Sequence, residues 1–250
     1  MVEFLFLDLD DTILNFRKAE YIAIGKTIGD FGVEPTDEVR QLYHTINKTL
    51  RDFGLEPTEE VLGRYHVINK WHWEQLELGT LTRAEVQWKR FDALFSEFGV
   101  AADPHACAVR YMENLSIGHY FLPGAEETVE LLSKKYRLFL ASNGNASVQK
   151  GRMTSANLYR FFEKVFVSEE IGHNKPSKDY FDAAFAQIPG FDPAKALMVG
   201  DSLSSDIKGG INAGIRTCWV NPGHVSGKPE IVPDFEIERL SDLPALLETL

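Results

Sequence analysis

Asp8-Leu9-Asp10-Asp11-Thr12 sets two carboxylates two residues apart, directly behind the largely apolar run Val2–Leu7. If extended backbone persists through Asp10, alternate side chains face one space, so one carboxylate can attack an electrophile while the other moves a proton. A phosphate dianion would resist that attack by about 4 kcal/mol for each unit-charge pair at about 4 Å and an effective dielectric near ~20. A divalent cation removes the obstacle, and hard oxygen ligands of this kind favour Mg2+. The same D-x-D spacing opens a calcium loop, but the glycine such a loop needs is Ile13 here and its closing glutamate is Ala19. A solvated acidic turn is the plain alternative for this motif taken alone.

Three further clusters offer matching chemistry. Ser142-Asn143-Gly144 ends the apolar run Arg137–Ala141 and precedes a helical stretch, so a hydroxyl and successive backbone N–H groups can face a phosphate at a helix N-terminus; a simple helix cap has the same composition. Lys175, in Gly172-His173-Asn174-Lys175-Pro176, brings an ammonium that would neutralise a phosphate and an attacking carboxylate, although a lone lysine is usually just solvated. Asp201 in Gly200-Asp201-Ser202 is the expected second side-chain ligand for the cation, and Asp206 follows at the start of the next helix. Helix-dipole stabilisation competes for Asp206; its supporting role is to reach the cation through water or to orient Lys175.

The elements that must hold these groups form an alternation. Strand-like runs at Val2–Leu7, Arg137–Ala141, Lys164–Val167, Ala196–Val199 and Arg216–Val220 are separated by helical stretches near 125–134, 146–158, 178–188 and 204–213. That rhythm predicts an α/β fold: a parallel sheet with helices on both faces, binding its ligands at the carboxyl ends of the strands. Residues 15–120 break the rhythm with helical periodicity, as in Trp88, Phe91, Phe95 and Phe98, and predict an all-helical insertion between core segments 1–14 and 121–250, with hinges near Leu14–Phe16 and Tyr120–Gly124. Within it FGVEPTDEVRQLYHTINK at 31–48 returns as FGLEPTEEVLGRYHVINK at 53–70. Two copies are too few for a solenoid, so a local tandem duplication is the expectation.

Composition narrows the partners. A chain of 250 residues with 44% hydrophobic positions can bury one large core plus a dependent subdomain. A formal net charge of −11 repels nucleic-acid polymers and anionic membranes, and it would repel a small phosphorylated metabolite too, so a phosphorylated partner needs a local cation or converging donors. Two cysteines are too few for a disulfide framework, and the opening apolar run ends at Leu7, short of a signal core or membrane span. A cytoplasmic protein is the expectation; the oligomeric state is left open.

Together the four clusters, in this order and at strand ends, resemble the haloacid dehalogenase superfamily of hydrolases, with DLDDT as its first motif, Ser142 its second, Lys175 in NKP its third and GDSLSSD its fourth. The resemblance implies a Rossmann-like three-layer core. It implies Asp8 as nucleophile and Asp10 as general acid and base, with Mg2+ held by the Asp8 carboxylate, the Asp10 backbone carbonyl and Asp201. Ser142, the Asn143 amide and Lys175 would bind the phosphoryl oxygens. The insertion is similar to the mobile cap of the superfamily's first subfamily. Ile68-Asn69, Trp73, Leu76, Gly79, Leu81-Thr82, Asp206–Gly210 and Thr217-Cys218-Trp219 resemble bacterial pyrimidine 5′-nucleotidases, so a nucleoside 5′-monophosphate is the implied substrate. Trp71, Trp73 and Tyr65 are candidates to stack on its base, and Leu76–Arg83 is the candidate specificity loop. Rival readings are a sugar-phosphate phosphatase or phosphomutase of the same fold, a 2-haloacid dehalogenase, against which Asp10 argues, and a non-catalytic phosphate-binding or signalling protein.

Overall fold

The computed structural model describes residues 1–16, 49–116 and 119–250. Its elements are β1 (Phe4–Leu7), α1 (Glu59–Glu77), α2 (Arg83–Phe98), α3 (Pro104–Leu115), α4 (Ala125–Ser133), β2 (Arg137–Ser142), α5 (Ala146–Ser155), β3 (Lys164–Val167), α6 (Ser168–Ile171), α7 (Lys178–Phe185), β4 (Ala196–Gly200), α8 (Lys208–Ala213), β5 (Arg216–Val220), β6 (Phe235–Ile237) and α9 (Leu243–Leu247). The chain separates into two compact units, Met1–Asn15 with His119–Leu250, and Phe16–Gly118.

In the first unit the strands form one parallel sheet in the order β3-β2-β1-β4-β5-β6. The central strands β1, β2 and β4 are apolar on both faces because each face is covered. Leu5 and Leu7 join Leu138, Leu140, Leu197 and Val199 beneath Val129 and Leu132 of α4, Met153 of α5 and Leu243 of α9. Phe4 and Phe6 lie on the other face with Phe139, Phe166 and Met198, covered by Tyr180, Phe181 and Ala184 of α7. There the rings of Phe6, Phe139 and Phe166 run across three strands, 5.2 Å and 6.1 Å between successive centroids. Burying one such side chain contributes about 1.5–3 kcal/mol, so the aromatic face anchors the strand that carries Asp8. The chain runs from β1 toward β2 and β3, then returns to place β4 on the opposite side of β1, and the crevice of such a sheet opens where the order reverses.

Where the elements depart from the expected ranges, local geometry explains it. The helix expected over 146–158 ends at Ser155, because Asn157 adopts a left-handed φ of 52° and Leu158 N–H turns back to the Met153 carbonyl at 2.9 Å. The helix expected over 204–213 begins as a wide π-turn, Leu203–Ile207, before α8. β6, not foreseen, is three residues long and pairs with β5. The chain leaves and re-enters this unit through paired backbone: Asn15 N–H donates to the Tyr120 carbonyl at 2.8 Å and Leu122 N–H to that of Ile13 at 3.0 Å.

The second unit is helical in its described part. Thr58 caps α1 through Val61 N–H, Thr82 and Glu85 form a reciprocal capping box on α2, and Gly99 closes α2 in a left-handed conformation with φ 65°. Phe91 and Phe95 are buried as the periodicity predicts. Repeat copy 53–70 runs from a capped turn into α1; copy 31–48 lies outside the described residues. Among the described residues no helix is long and apolar enough to cross a membrane.

Candidate active site

Asp8 extends β1 by one rung, its N–H bonded to the Val199 carbonyl at 2.9 Å. This directs it into a buried cluster beside Lys175. The Lys175 ammonium donates to Asp8 Oδ1 at 2.7 Å, Asp206 Oδ1 at 2.6 Å and the Ala141 carbonyl at 2.6 Å, which uses all three of its protons. Lys175 and Asp206 are each 1% exposed and Asp8 7%. Burial raises the Asp8 carboxyl to about 8; Lys175 pulls it back, while Asp206 and Asp10 push it further up. Burial also acts against the Lys175 charge, but Asp206 and Asp8 outweigh it and the ammonium is held above its ordinary range.

Asp206 reaches this cluster because the π-turn lets its Oδ2 accept from Ser202 N–H at 3.1 Å while Oδ1 faces Lys175. Gly200 is required there: a Cβ on it would fall 2.2 Å from Asp206 Oδ2. Asp201, at the end of β4, has its backbone carbonyl bonded by Trp219 Nε1 at 2.8 Å. One carboxylate oxygen each from Asp8, Asp201 and Asp206 lie within 4.8 Å of one another, a donor set of hard oxygens.

Asp10 faces elsewhere. Just before a turn in which Asp11 takes a positive φ of 54°, the Asp10 carboxylate meets α5: Oδ2 accepts from Gln149 Nε2 at 2.7 Å, and Oδ1 is ion-paired with Arg152 Nη1. Gln149 Nε2 also donates to Ser142 Oγ at 2.9 Å, and Ser142 Oγ accepts from Gly144 N–H at 3.0 Å. The Asn143 side chain binds the Lys175 segment rather than open space: its Nδ2 donates to the Lys175 carbonyl at 2.8 Å and its Oδ1 accepts from Lys175 N–H at 2.8 Å. Asn143 thereby fixes the height at which Lys175 enters the site.

Gln149 and Arg152 escaped the sequence reading. A signal was present: on α5 Val148, Gln149, Arg152 and Met153 form one inward stripe, and an amide with a guanidinium inside such a stripe needs polar partners. In the helical unit, Tyr65 is not available to a base. It is 2% exposed, packed 5.7 Å from the Phe91 ring and 6.2 Å from Tyr111, since its α1 position faces α2 and α3. Trp71 is half exposed, and Trp73 lies under the Arg83 guanidinium, 5.8 Å from its ring centroid. Asn69 accepts from buried Arg90 Nη1 at 2.7 Å. The 76–83 loop is pinned by Thr80 Oγ1, which donates to Gln75 Oε1 at 2.7 Å.

A family model described as haloacid dehalogenase-like hydrolase matches residues 2–214. The HAD-hydrolase YfnB of Bacillus subtilis is 36% identical, over 97% of this chain and 94% of its own. Its crystal structure, described as bound to magnesium and as revealing interdomain movement, superposes with a TM-score of 0.82 at 35% identity, covering 98% of both chains. The pyrimidine 5′-nucleotidase PynA of Streptococcus pneumoniae is 34% identical over 96% of this chain and 93% of its own. The pyrimidine 5′-nucleotidase YjjG of Escherichia coli is 31% identical over 70% and 77%.

Proposed function

This chain belongs to the haloacid dehalogenase-like hydrolases, and from that membership we propose that it is a magnesium-dependent phosphatase acting on a small phosphate monoester through an aspartyl-phosphate on Asp8. The observation that carries the reading is the pairing of a buried Asp8–Lys175–Asp206 cluster with a second carboxylate, Asp10, held apart from it by α5. Two carboxylates in different surroundings support a division of labour in which Asp8 attacks and Asp10 handles a proton.

The Asp8, Asp201 and Asp206 oxygens suit a hard divalent cation, and Asp8 and Asp201, with the Asp10 carbonyl, would hold Mg2+. Bound there, it supplies charge neutralisation for the phosphoryl group and the attacking carboxylate. The chain's own residues do the rest. Burial opposes the ionised Asp8 that attack requires, and Lys175 favours it through a 2.7 Å bond. Asp8 attacks phosphorus while Asp10 gives a proton to the departing alcohol oxygen. Asp10 then takes a proton from water as that water attacks phosphorus, releasing phosphate and restoring Asp8. Ser142, the Asn143 amide and Lys175 would face the transferring oxygens, Lys175 through its charge because its three protons already meet Asp8, Asp206 and the Ala141 carbonyl, a positioning and electrostatic role.

The relatives named pyrimidine 5′-nucleotidases support a nucleoside 5′-monophosphate as substrate, with the helical unit as the selecting cap and Trp71 and Trp73 as its aromatic candidates. A small metabolite fits a chain of net charge −11 better than a nucleic-acid polymer does. A reducing cytoplasm suits two buried free cysteines, each thiol pushed up to about 12 by burial. The test is phosphate release from a panel of nucleoside monophosphates and sugar phosphates, with Mg2+ or with EDTA, and with Asp8→Asn alongside. We expect pyrimidine monophosphates to lead and Asp8→Asn to be silent. Leading sugar phosphates would remove the nucleotide reading, and release that survives EDTA or Asp8→Asn would remove the mechanism.

A further inference from the structure

Two buried polar residues on α5 end on the acid–base carboxylate, although neither was expected in the phosphate or cation site. Gln149 is 2% exposed and Arg152 0%. Burying a guanidinium is unfavourable unless it is paired and hydrogen-bonded, and Arg152 Nη1 meets both Asp10 Oδ1 and Gln149 Oε1, the latter at 3.2 Å. Gln149 Nε2 reaches Asp10 Oδ2 at 2.7 Å and Ser142 Oγ at 2.9 Å. Each Asp10 oxygen thus faces a different donor, which fixes the plane of the carboxylate, and one amide joins it to the hydroxyl on the phosphate side. Gly144 leaves room for this: a Cβ there would lie 2.2 Å from Gln149 Nε2.

We propose that Gln149 and Arg152 are positioning residues for proton transfer, holding the Asp10 carboxylate in one orientation and registering it to Ser142. The inference rests on the phosphatase reading. Its consequence depends on the leaving group: an alkyl oxygen must receive a proton as it departs, whereas p-nitrophenolate leaves largely without one.

The experiment compares kcat/KM for a nucleoside 5′-monophosphate and for p-nitrophenyl phosphate in the parent protein, Arg152→Ala, Arg152→Lys and Gln149→Ala, with Mg2+ throughout. General acid catalysis contributes about 100-fold or more. Arg152→Ala is therefore expected to lose about 100-fold on the nucleotide and under about tenfold on the aryl ester, with Arg152→Lys recovering part of the nucleotide rate and Gln149→Ala showing a smaller split of the same sign. A second readout needs no turnover: in protein carrying 13C-labelled aspartate carboxyls, the resonance lost in Asp10→Asn should move in Arg152→Ala and return toward its parent position in Arg152→Lys. Equal losses on both substrates, or an unmoved Asp10 resonance, overturn the positioning role in favour of a purely structural one. Failure of the parent protein on both substrates overturns the phosphatase reading itself, with the resonance alone then reporting whether the pair holds Asp10.

Discussion

Two carboxylates share one ammonium at the centre of this site, and that imbalance governs its response to pH. The folded Asp8 carboxyl lies at about 8, against roughly 3.9 in an unfolded chain. A raised carboxyl contributes stability that is fully present below the unfolded value and lost as pH rises through the folded one. Metal-free protein should therefore lose thermal stability between about pH 4 and 8, Asp8→Asn should flatten that slope, and Mg2+ should raise the midpoint more at pH 8 than at pH 5, because cation and proton compete for the same oxygens. Thermal melts with and without EDTA check each part; a slope unchanged by Asp8→Asn would exclude Asp8 as its source. Lys175→Met leaves Asp8 and Asp206 buried without their cation. It should cost about 3–5 kcal/mol by denaturant unfolding near pH 8, and less near pH 5, where Asp8 is already protonated. Asp8, Lys175 and Asp201 were legible as chemistry from type and position, and so were Asp8 and Asp206 as partners of Lys175; the Ala141 carbonyl that takes its third proton was not.

At the level of elements, α5 links Ser142 to Asp10 through Gln149. Its N-terminus is held by the Asn145 side chain, which accepts from Ser147 and Val148 N–H at 3.0 Å and 3.2 Å, and by Glu169, which accepts from Ala146 N–H at 2.7 Å. Asn145→Ala should cost about 1 kcal/mol of stability and lower turnover as well, since the helix carries Gln149 and Arg152. Gly144→Ala tests the same link from the loop. The added methyl would lie 2.2 Å from Nε2 and 2.7 Å from Cγ of buried Gln149, so we expect a lower melting temperature together with a kcat/KM at least about tenfold lower on an alkyl phosphate. A large stability loss with unchanged kcat/KM would contradict it. The π-turn before α8 was not legible, because Leu203–Ile207 carries ordinary helix-compatible residues and its i to i+5 geometry follows from where Asp206 must reach.

For the whole molecule, charge opposes the proposed substrate. With a net charge of −11, long-range repulsion should slow the approach of a phosphate dianion. At saturating Mg2+, kcat/KM is then expected to rise with added monovalent salt as screening shortens the Debye length from about 30 Å at 0.01 M to about 8 Å at 0.15 M. A fall would mean that a local positive field steers the substrate despite the net charge. The aromatic candidates show how far such reasoning reaches. Tyr65, Trp71 and Trp73 lie on one helix, yet packing against Phe91 and Tyr111 buries Tyr65, and periodicity alone does not reveal which flank of a helix meets its neighbours.

Type and local order along the chain were enough for the alternation of strands and helices, the catalytic-type motifs at strand ends and the family resemblance, because apolar runs, turn residues and carboxylate spacing are local properties. Which side chain meets which was decided by the sheet order. Asp10 and Arg152 are 142 residues apart, and Asp8 and Lys175 are 167 apart. Only the parallel packing of β1 between β2 and β4 brings them to one edge, where burial and shared hydrogen bonds turn separate polar residues into a coupled site.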